Sequence, residues 1–426
     1  MTTTDATDKP FMIDKRLVYE AYKAVKSNGG AAGVDGQTIE QFEADLKGNL
    51  YKIWNRMSSG SYFPPPVRAV PIPKKSGEGQ RILGVPTVSD RIAQMVVKQL
   101  IKPDLDQIFL KDSYGYRPGK SALVAVGVTR QRCWKYDWVL EFDIKGLFGS
   151  LSHEWMLRFV EHRVGDPRLI SLIRRWLKAG VMEDGAVHPS DEGTPQGGSI
   201  SVLLSNVYLH YVLDLWFERV VKVRLKGEAR LVRYIDDFVI CFQHQSDALQ
   251  VQEALRHRLG RFGLTLEPTK TKLVEFGRFA QRDAGKRGRS RPETIYFLGM
   301  TLYCSRNLKG NFKVGMRTEK SRLRRSISSA QELMRRIRHY GISDQVSEIN
   351  AAVRGHYAYY GIAGNLRSLL KVHRVTERYW CRMLRSRSRD GGRLTWDTFN
   401  QIKERNPILR PKLRLPYRAL QALAVL

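Results

Sequence analysis

The sequence has few residues that could cross-link the chain or anchor it in a membrane. Its 426 residues include four scattered cysteines, with no Cys-x-x-Cys pair and no histidines at zinc spacing. A disulfide framework and a structural zinc site are therefore not expected. No apolar run reaches about 18 residues, and the opening segment, MTTTDATDKPFM, lacks an apolar signal region. These absences predict a soluble protein of a reducing, intracellular compartment, and they do not separate the bacterial cytoplasm from another such compartment.

Acidic residues are also scarce. The chain has 42 Asp+Glu against 72 Lys+Arg, a formal net charge of +30, and 42% of its residues are hydrophobic. That apolar content is sufficient for a folded core. So large a positive charge predicts an anionic partner, most often nucleic acid, and argues against a free-standing small-metabolite enzyme. Residues 301–426 hold 27 Lys+Arg and 8 Asp+Glu, so this last part is expected to contact a phosphate backbone.

Local patterns predict both strands and helices in the first part of the chain. Residues 67–73 and 81–83 flank a Lys-Lys-Ser-Gly-Glu-Gly turn, which predicts a β-hairpin. An amphipathic helix is predicted over residues 89–100, with Pro103 interrupting it.

Later segments are more basic. Residues 199–221 predict a long apolar helix that follows a glycine-rich loop. Residues 278–292 combine arginines with glycine and serine, which predicts a flexible basic loop. From about residue 313 onward the pattern is helical.

Three carboxylates stand at the ends of apolar, strand-like runs. Asp143 ends the buried strand predicted over 138–144, while Asp236 and Asp237 form the turn of a strand–turn–strand predicted over 230–242. An Asp-Asp turn alone is usually a solvated turn. A third acid, at the end of a second apolar run, strengthens a functional interpretation of the Asp-Asp turn. A charge at the end of an apolar run is costly unless it is paired or metal-bound. Carboxylates converging from two strands suit two divalent cations, and Mg²⁺ is the expected metal, with Mn²⁺ able to substitute.

The three acids belong to longer motifs. Residues 142–148 (FDIKGLF), 193–198 (GTPQGG) and 234–237 (YIDD) resemble the palm motifs of reverse transcriptases. Their order and spacing resemble group II intron reverse transcriptases and maturases. Further matches lie at 113–119 (SYGYRPG) and 297–299 (FLG), and the resemblance covers nearly the whole chain.

The resemblance implies an α+β fold of the right-hand polymerase type, with fingers, a palm containing an antiparallel sheet, and an α-helical thumb. It divides the chain into an N-terminal extension (1–62), fingers and palm (63–305) and a basic helical thumb or maturase-like domain (306–426). The implied partners are an RNA or DNA template with a DNA primer, and dNTPs, without a membrane. The implied location is the bacterial cytoplasm, with action at the nucleoid. The oligomeric state stays open, a dimer being one option.

The resemblance also implies roles for single residues. Asp143, Asp236 and Asp237 would be catalytic and hold the metals, together with the Ile144 carbonyl. Contacts to the dNTP would come from Lys74, Arg81, Arg68, Phe148, Gln196 and Lys270. The primer terminus would meet Tyr234 and Ile235, and other nucleic-acid contacts would come from Arg117, Gly197 and Arg354.

Two of these roles are specific. Phe148 would be a steric gate that clashes with a ribose 2′-OH and so favours dNTPs; the alternative is a core phenylalanine. Lys270 would protonate the leaving pyrophosphate, and its alternative is an ordinary solvated lysine.

The sequence departs from the family at two positions near the acids. Ile235 replaces the usual alanine, and its β-branched side chain is expected to narrow the pocket and to change primer engagement. Gly149 replaces a common aspartate that is not a metal ligand. The Ile-containing box resembles a free-standing, intron-like subgroup associated with DNA repair, which implies microhomology-mediated end joining. Nothing after residues 411–413 resembles an HNH endonuclease, so target-site cleavage is not expected.

Other functions were weighed. An RNA-binding maturase, in which polymerisation is secondary or absent, is the main alternative. An RNA polymerase on the same palm is disfavoured by Phe148. Residues 115–121 nearly spell a P-loop but are one residue short, so an NTPase is not expected.

Overall fold

The computed structural model describes residues 13–73, 79–183, 185–195, 197–387 and 390–423. Helices within these ranges are α1 (Lys15–Asn28), α2 (Ile39–Glu43), α3 (Leu46–Ser58), α4 (Val88–Ile108), α5 (Ala122–Lys135), α6 (His153–Glu161), α7 (Pro167–Lys178), α8 (Ser201–Leu209), α9 (Gln245–Gly260), α10 (Ala280–Lys286), α11 (Lys320–Arg336), α12 (Ile342–Tyr360), α13 (Leu366–Arg385), α14 (Trp396–Arg405) and α15 (Tyr417–Ala422). Strands are β1 (Val67–Pro73), β2 (Gln80–Val85), β3 (Trp138–Asp143), β4 (Val181–Glu183), β5 (Ala186–His188), β6 (Ala229–Tyr234), β7 (Asp237–Phe242), β8 (Lys272–Glu275), β9 (Ile295–Phe297), β10 (Met300–Arg306) and β11 (Phe312–Thr318).

The chain forms two compact units, each built from discontinuous segments. The first contains the described residues of Met1–Arg117, Ile144–Val223 and Glu253–Glu267. The second contains the described residues of Pro118–Asp143, Arg224–Gln252 and Pro268–Leu426. These units do not follow the three consecutive segments 1–62, 63–305 and 306–426, which stay a prediction.

The first unit contains a four-stranded sheet in the order β2-β1-β4-β5. β1 and β2 pair antiparallel from Arg68↔Val85 to Pro73↔Gln80, which confirms the predicted hairpin. α4 packs against α1, α3 and α8, and its Ile92, Val96 and Val97 are fully buried.

Pro103 does not end α4, contrary to the prediction for residues 89–100. The helix continues to Ile108 with Pro103 inside it. Ile101 and Leu105, on either side of the proline, are 4% and 1% exposed. Burial of these side chains offsets the hydrogen bond that proline cannot donate.

The second unit contains two antiparallel sheets. The larger has the order β6-β7-β3-β8 and the smaller the order β11-β10-β9. Phe142 on β3 stacks on Phe238 on β7, with ring centroids 5.0 Å apart and both side chains buried. This apolar layer fixes the two strands that carry the acids.

Two expectations for the basic regions are corrected. Residues 312–318 form a strand rather than the start of a helical region, because Val314 and Met316 are buried in alternation and β11 pairs with β10. The segment 278–292 is helical over Ala280–Lys286 rather than a loop throughout, because Ala280 and Ala284 are buried on one face.

The long apolar helix predicted over residues 199–221 is confirmed. Helical structure extends from α8 through residues 210–221, where two π-helical turns, His210–Asp214 and Phe217–Val221, replace the regular geometry. No helix within the described ranges combines the length and the apolar character that crossing a membrane requires.

Candidate active site

Two carboxylates face each other across the larger sheet of the second unit. Antiparallel pairing of β3 with β7 sets Asp143, the last residue of β3, opposite Asp237, the first residue of β7. Tyr234 on β6 pairs with Asp237, so Ile235 and Asp236 form the two-residue turn between β6 and β7. The predicted strand–turn–strand is confirmed, but its turn is Ile235–Asp236 instead of Asp236–Asp237, because Asp237 already pairs within β7. The three acids lie together at one end of the paired strands.

The three acids oppose one another's ionisation. Burial raises the pKa of Asp237 to about 8, and the carboxylates of Asp236 and Asp143 add to that rise. Burial also raises the pKa of Asp236, and the carboxylate of Asp143 adds to this rise. A bound positive ion would remove this repulsion, so the site has the electrostatics of a cation site.

Two groups that the sequence interpretation missed border the acids. Glu141 precedes Asp143 by two residues and therefore lies on the same face of β3. Its carboxylate accepts a hydrogen bond from the Tyr296 N–H (3.2 Å), and burial raises its pKa to about 7. The Leu298 N–H donates to the Asp237 carboxylate (3.3 Å) across 61 residues of sequence. Strand alternation could have indicated Glu141, whereas no local pattern connects Leu298 with Asp237.

A lysine lies beside the acids as a counter-ion. Lys270, in the loop before β8, forms an ion pair with Asp143. Within the described residues, no three His, Cys, Asp or Glu side chains are already arranged to hold one metal ion. The oxygen chemistry and mutual repulsion of the three acids nevertheless fit divalent cations, and binding would require Lys270 to leave Asp143.

The turn that carries Asp236 has a strained backbone. Ile235 is 4% exposed and has a φ of +58°, a conformation that a β-branched residue rarely adopts. Two-residue hairpin turns prefer Gly, Asn or Asp where φ is positive. Arg233, which is fully buried, donates from Nη1 to the Ile235 carbonyl (3.3 Å). Packing and this hydrogen bond hold the turn against its local preference.

In the first unit, Phe148 and the loop containing Gly197 are tied together. The Phe148 carbonyl accepts a hydrogen bond from the Thr194 N–H (2.6 Å). Gly197 has a φ of +130°, and a Cβ there would lie 2.6 Å from the carbonyl oxygen of Gly84 on β2. Glycine at 197 therefore permits the loop to rest on the β1–β2 hairpin.

Two cations predicted to bind the triphosphate lie on that hairpin. Arg68, on β1, is half-buried, and its Nε has no hydrogen-bond acceptor among the described residues. Arg81, on β2, is exposed and lies opposite Ile72. Guanidinium groups suit phosphate oxygens in general, but the Nε atom of Arg68 is itself buried, so the role of this residue stays a prediction. Lys74 and Gln196 lie outside the described residues.

The remaining predicted contacts differ in accessibility, and their roles stay predictions. Arg354 is exposed on α12. The Nε of Arg117 pairs with Asp106 (2.8 Å), and its Nη1 donates to two backbone carbonyls, so much of this guanidinium is engaged within the protein. Tyr234 is half-buried at the end of β6, and Ile144 is buried directly after Asp143.

The sequence matches a known family over more than half of its length. Residues 72–302 match the description "Reverse transcriptase (RNA-dependent DNA polymerase)". The chain belongs to the reverse transcriptase family. This membership confirms the predicted fold class, an α+β right-hand polymerase fold, and supports the predicted enzyme class, RNA-directed DNA polymerase.

Individual relatives of this reverse transcriptase support a group II intron-like assignment. "Group II intron-encoded protein LtrA" of Lactococcus lactis subsp. cremoris is 32% identical over 228 residues, which are 52% of this chain and 38% of that protein. "Protein YkfC" of Escherichia coli (strain K12) is 29% identical over 388 residues, which are 80% of this chain and 96% of that protein. A solved telomerase from Candida albicans has a TM-score of 0.45 and 12% identity, covering 86% of this chain and 66% of that one. The chain spans about two fifths of the length of the intron-encoded relative.

Proposed function

We propose that this reverse transcriptase copies RNA and DNA templates into DNA by adding dNTPs to a primer 3′-OH. The observation that carries the proposal is the end of the β3–β7 pair in the larger sheet of the second unit. There Asp143 faces Asp237, and Asp236 occupies the adjoining turn. The raised pKa values of Asp236 and Asp237, and the ion pair of Lys270 with Asp143, support a site that exchanges one cation for another.

Two magnesium ions, replaceable by manganese, would supply activation of the 3′-OH and neutralisation of the leaving pyrophosphate. Asp143, Asp236 and Asp237 would hold them through carboxylate oxygens, and the Ile144 carbonyl would add a ligand. Once it leaves Asp143, Lys270 is able to give its proton to the leaving group.

Residues of the first unit would bind and select the nucleotide. Arg68 and Arg81, with Lys74, would bind the triphosphate, since guanidinium and ammonium groups bind phosphate oxygens well. Phe148 would exclude a ribose 2′-OH. The hydrogen bond between Thr194 and the Phe148 carbonyl supports this role, because a steric gate must be held in place.

Primer extension on RNA and DNA templates tests the activity. We expect the wild type to extend a DNA primer with Mg²⁺ or Mn²⁺, and the Asp236→Ala variant to lose at least about 10³-fold in rate, as loss of an essential charge-stabilising group typically does. Asp397→Ala changes an exposed acid on α14 and serves as the matched control. Absence of dNTP incorporation by the wild type, or full activity of Asp236→Ala, would refute the proposal.

Sugar selection tests the gate separately. Phe148→Ala should admit ribonucleotides while retaining dNTP incorporation, and Phe148→Tyr should keep the wild-type preference. Unchanged selection by Phe148→Ala would remove the gate assignment and leave the polymerase proposal intact.

We further propose a cellular role in double-strand break repair, by annealing short homologies between DNA 3′ ends and filling them in. The departure at Ile235 from the usual alanine supports it. The test joins two DNA duplexes whose 3′ overhangs share a few complementary nucleotides and compares wild type with Ile235→Ala. If both proteins extend primers and join ends equally, Ile235 has no special part in repair.

Intron splicing is the alternative role, which the names of the intron-encoded relatives favour. A maturase would bind a folded group II intron RNA tightly and stimulate its splicing, and Asp236→Ala would leave that stimulation unchanged. Flanking intron RNA domains in the genome would also favour this role.

A further inference from the structure

An exposed aromatic ring in the second unit has two arginine side chains beside it. Phe279 is 45% exposed and lies between β8 and α10, directly before the first residue of α10. The guanidinium carbon of Arg278 lies 5.3 Å from the centroid of the Phe279 ring, and that of Arg282 lies 4.9 Å from it. Both arginines are exposed. The Phe279 ring is large and apolar, yet it lies at the surface beside two cations. Core packing does not explain this exposed position.

The local backbone fixes this arrangement. The Phe276 N–H donates to the Asp137 carbonyl (2.7 Å), and Phe276 itself is 1% exposed. Ala280 and Ala284 bury one face of α10, which leaves the side chain of Phe279 at the helix start on the surface. The ring is thus presented by a rigid segment.

Further cations surround the ring. Lys286, Arg287, Arg289 and Arg291 are all exposed, within twelve residues of Phe279. Three acids partly balance them: Asp283 pairs with Arg282 (2.9 Å), Glu293 pairs with Arg289 (2.6 Å), and Glu275 pairs with Arg287. Six basic residues against three acidic ones between 275 and 293 leave the surface positive.

A polar pocket lies on the side of α10 that carries Ala280 and Ala284. Phe279 is not part of its lining, so the exposed ring and its two arginines are a separate surface.

We propose that Phe279, with Arg278 and Arg282, forms a stacking platform for single-stranded nucleic acid. A base would stack on the Phe279 ring, and the two guanidinium groups would contact the phosphates beside it. Aromatic rings combined with arginines are how proteins bind single strands without sequence preference. Duplex DNA does not expose its base faces, and an acidic peptide has no planar group to stack on the ring.

This platform is separate from the carboxylates of the candidate active site. Trp138, which pairs with Glu275 four residues before Phe279, is the first residue of β3, and Asp143 is the last. Five residue steps at about 3.4 Å per residue place the two strand ends about 17 Å apart. The inference therefore goes beyond the proposed polymerase function, because a strand held here would be template or overhang outside the reaction centre.

Binding of a fluorescein-labelled oligothymidylate tests the platform in full-length protein without divalent metal. Phe279→Ala should weaken binding at least about 5-fold, the lower end for losing one stacked base. Phe279→Tyr should bind like wild type. Tyr19→Ala is the matched control, since Tyr19 is 46% exposed with the Lys23 ammonium 5.2 Å from its ring centroid.

Salt titration separates stacking from charge. Arg278→Ala should lower the slope of log affinity against log salt by about 0.7, because one phosphate contact is lost. Phe279→Ala should weaken binding without changing that slope. A platform that bound a polyglutamate peptide as well as the oligonucleotide, with Phe279→Ala neutral for both, would be a purely electrostatic surface and would overturn the proposal.

Photochemical cross-linking locates the strand. An oligonucleotide containing 5-iodouridine should cross-link to the peptide that carries Phe279, and the cross-link should disappear in Phe279→Ala. Cross-links found only on other peptides, together with unchanged affinity of Phe279→Ala, would refute the platform. Primer extension on a hairpin substrate whose single-stranded template overhang is only two or three nucleotides long should be equal in wild type and variant, so failure of the platform and failure of the polymerase are distinguishable.

Discussion

The ammonium group of Lys270 forms an ion pair with the carboxylate of Asp143 at the end of β3. The lysine thereby neutralises a carboxylate that contributes to the raised pKa values of Asp236 and Asp237. A divalent cation and Lys270 would compete for the same oxygen atoms. The metal-free site is therefore stabilised by a cation that belongs to the chain.

Removing this lysine should change metal binding. Lys270→Met should bind Mn²⁺ about 5-fold or more tightly, because the ion no longer displaces an ammonium group worth about 1 kcal/mol or more. Its metal-free form should also melt at a lower temperature. Electron paramagnetic resonance of free Mn²⁺ measures the affinity, and Lys309→Met, at an exposed lysine between β10 and β11, is the control. Equal Mn²⁺ affinity in both variants would contradict the competition.

The backbone of the turn predicts an inverted order of stability at residue 235. Ile235→Gly loses the buried side chain but relieves left-handed strain of about 1 kcal/mol, whereas Ile235→Ala loses most of the side chain and keeps the strain. The glycine variant should therefore be the more stable of the two in urea unfolding. At Ile240, buried inside β7, alanine should be the more stable. The same order at both positions would show that Ile235 is unstrained.

A buried acid in the first unit predicts a pH dependence of stability. Asp90 is 1% exposed and accepts hydrogen bonds from Tyr62, Gln94 and Trp176, and burial raises its pKa to about 6. Because an unfolded aspartate has a pKa of about 3.9, the folded state binds the proton more tightly. The contribution of protonated Asp90 to the free energy of unfolding is fully present below about pH 4. It is lost as the pH rises through about 6, which lowers that free energy by up to about 3 kcal/mol.

Urea unfolding between pH 4 and 7 measures this effect. Asp90→Asn should flatten the dependence over that interval and should also destabilise the protein by about 1–3 kcal/mol, because three hydrogen-bond donors lose a charged acceptor. A wild-type profile with the same slope as Asp90→Asn would exclude Asp90 as its source.

The contact between Gly197 and the hairpin predicts a position where only glycine functions. Gly197→Ala would bring a Cβ to 2.6 Å from the Gly84 carbonyl oxygen at a φ of +130°. Strain of about 1–3 kcal/mol should displace the loop and lower kcat/KM for primer extension about 5- to 100-fold. Gly149→Ala is the matched control, because a Cβ there meets no atom within 4 Å. Equal losses in both variants would mean that the loop geometry is unimportant.

The sequence predicted the elements that depend on neighbours along the chain. Alternation and an Asp-Asp turn located β3, β6 and β7, and strand pairing then places Asp143 against Asp237. Pro103 was misjudged because buried Ile101 and Leu105 outweigh the local penalty. Leu298 and Lys270 reach the acids through tertiary structure, so only their motif resemblance or chemistry could indicate them. Glu141 was accessible to the alternation argument and was overlooked.

Arg233 places a buried guanidinium group beside the turn formed by Ile235 and Asp236. Its side chain is fully buried and donates to the Ile235 carbonyl, whereas Arg354 and the other exposed cations of the basic region face solvent. The ionic atmosphere attenuates exposed charges over about 8 Å at physiological ionic strength and affects buried ones far less. Raising ionic strength should thus strip nucleic acid from the protein while the turn stays assembled. Nucleic-acid affinity would then depend on ionic strength, whereas assembly of the turn would not. A substrate tethered to the protein would therefore still be extended at a salt concentration where a free one dissociates.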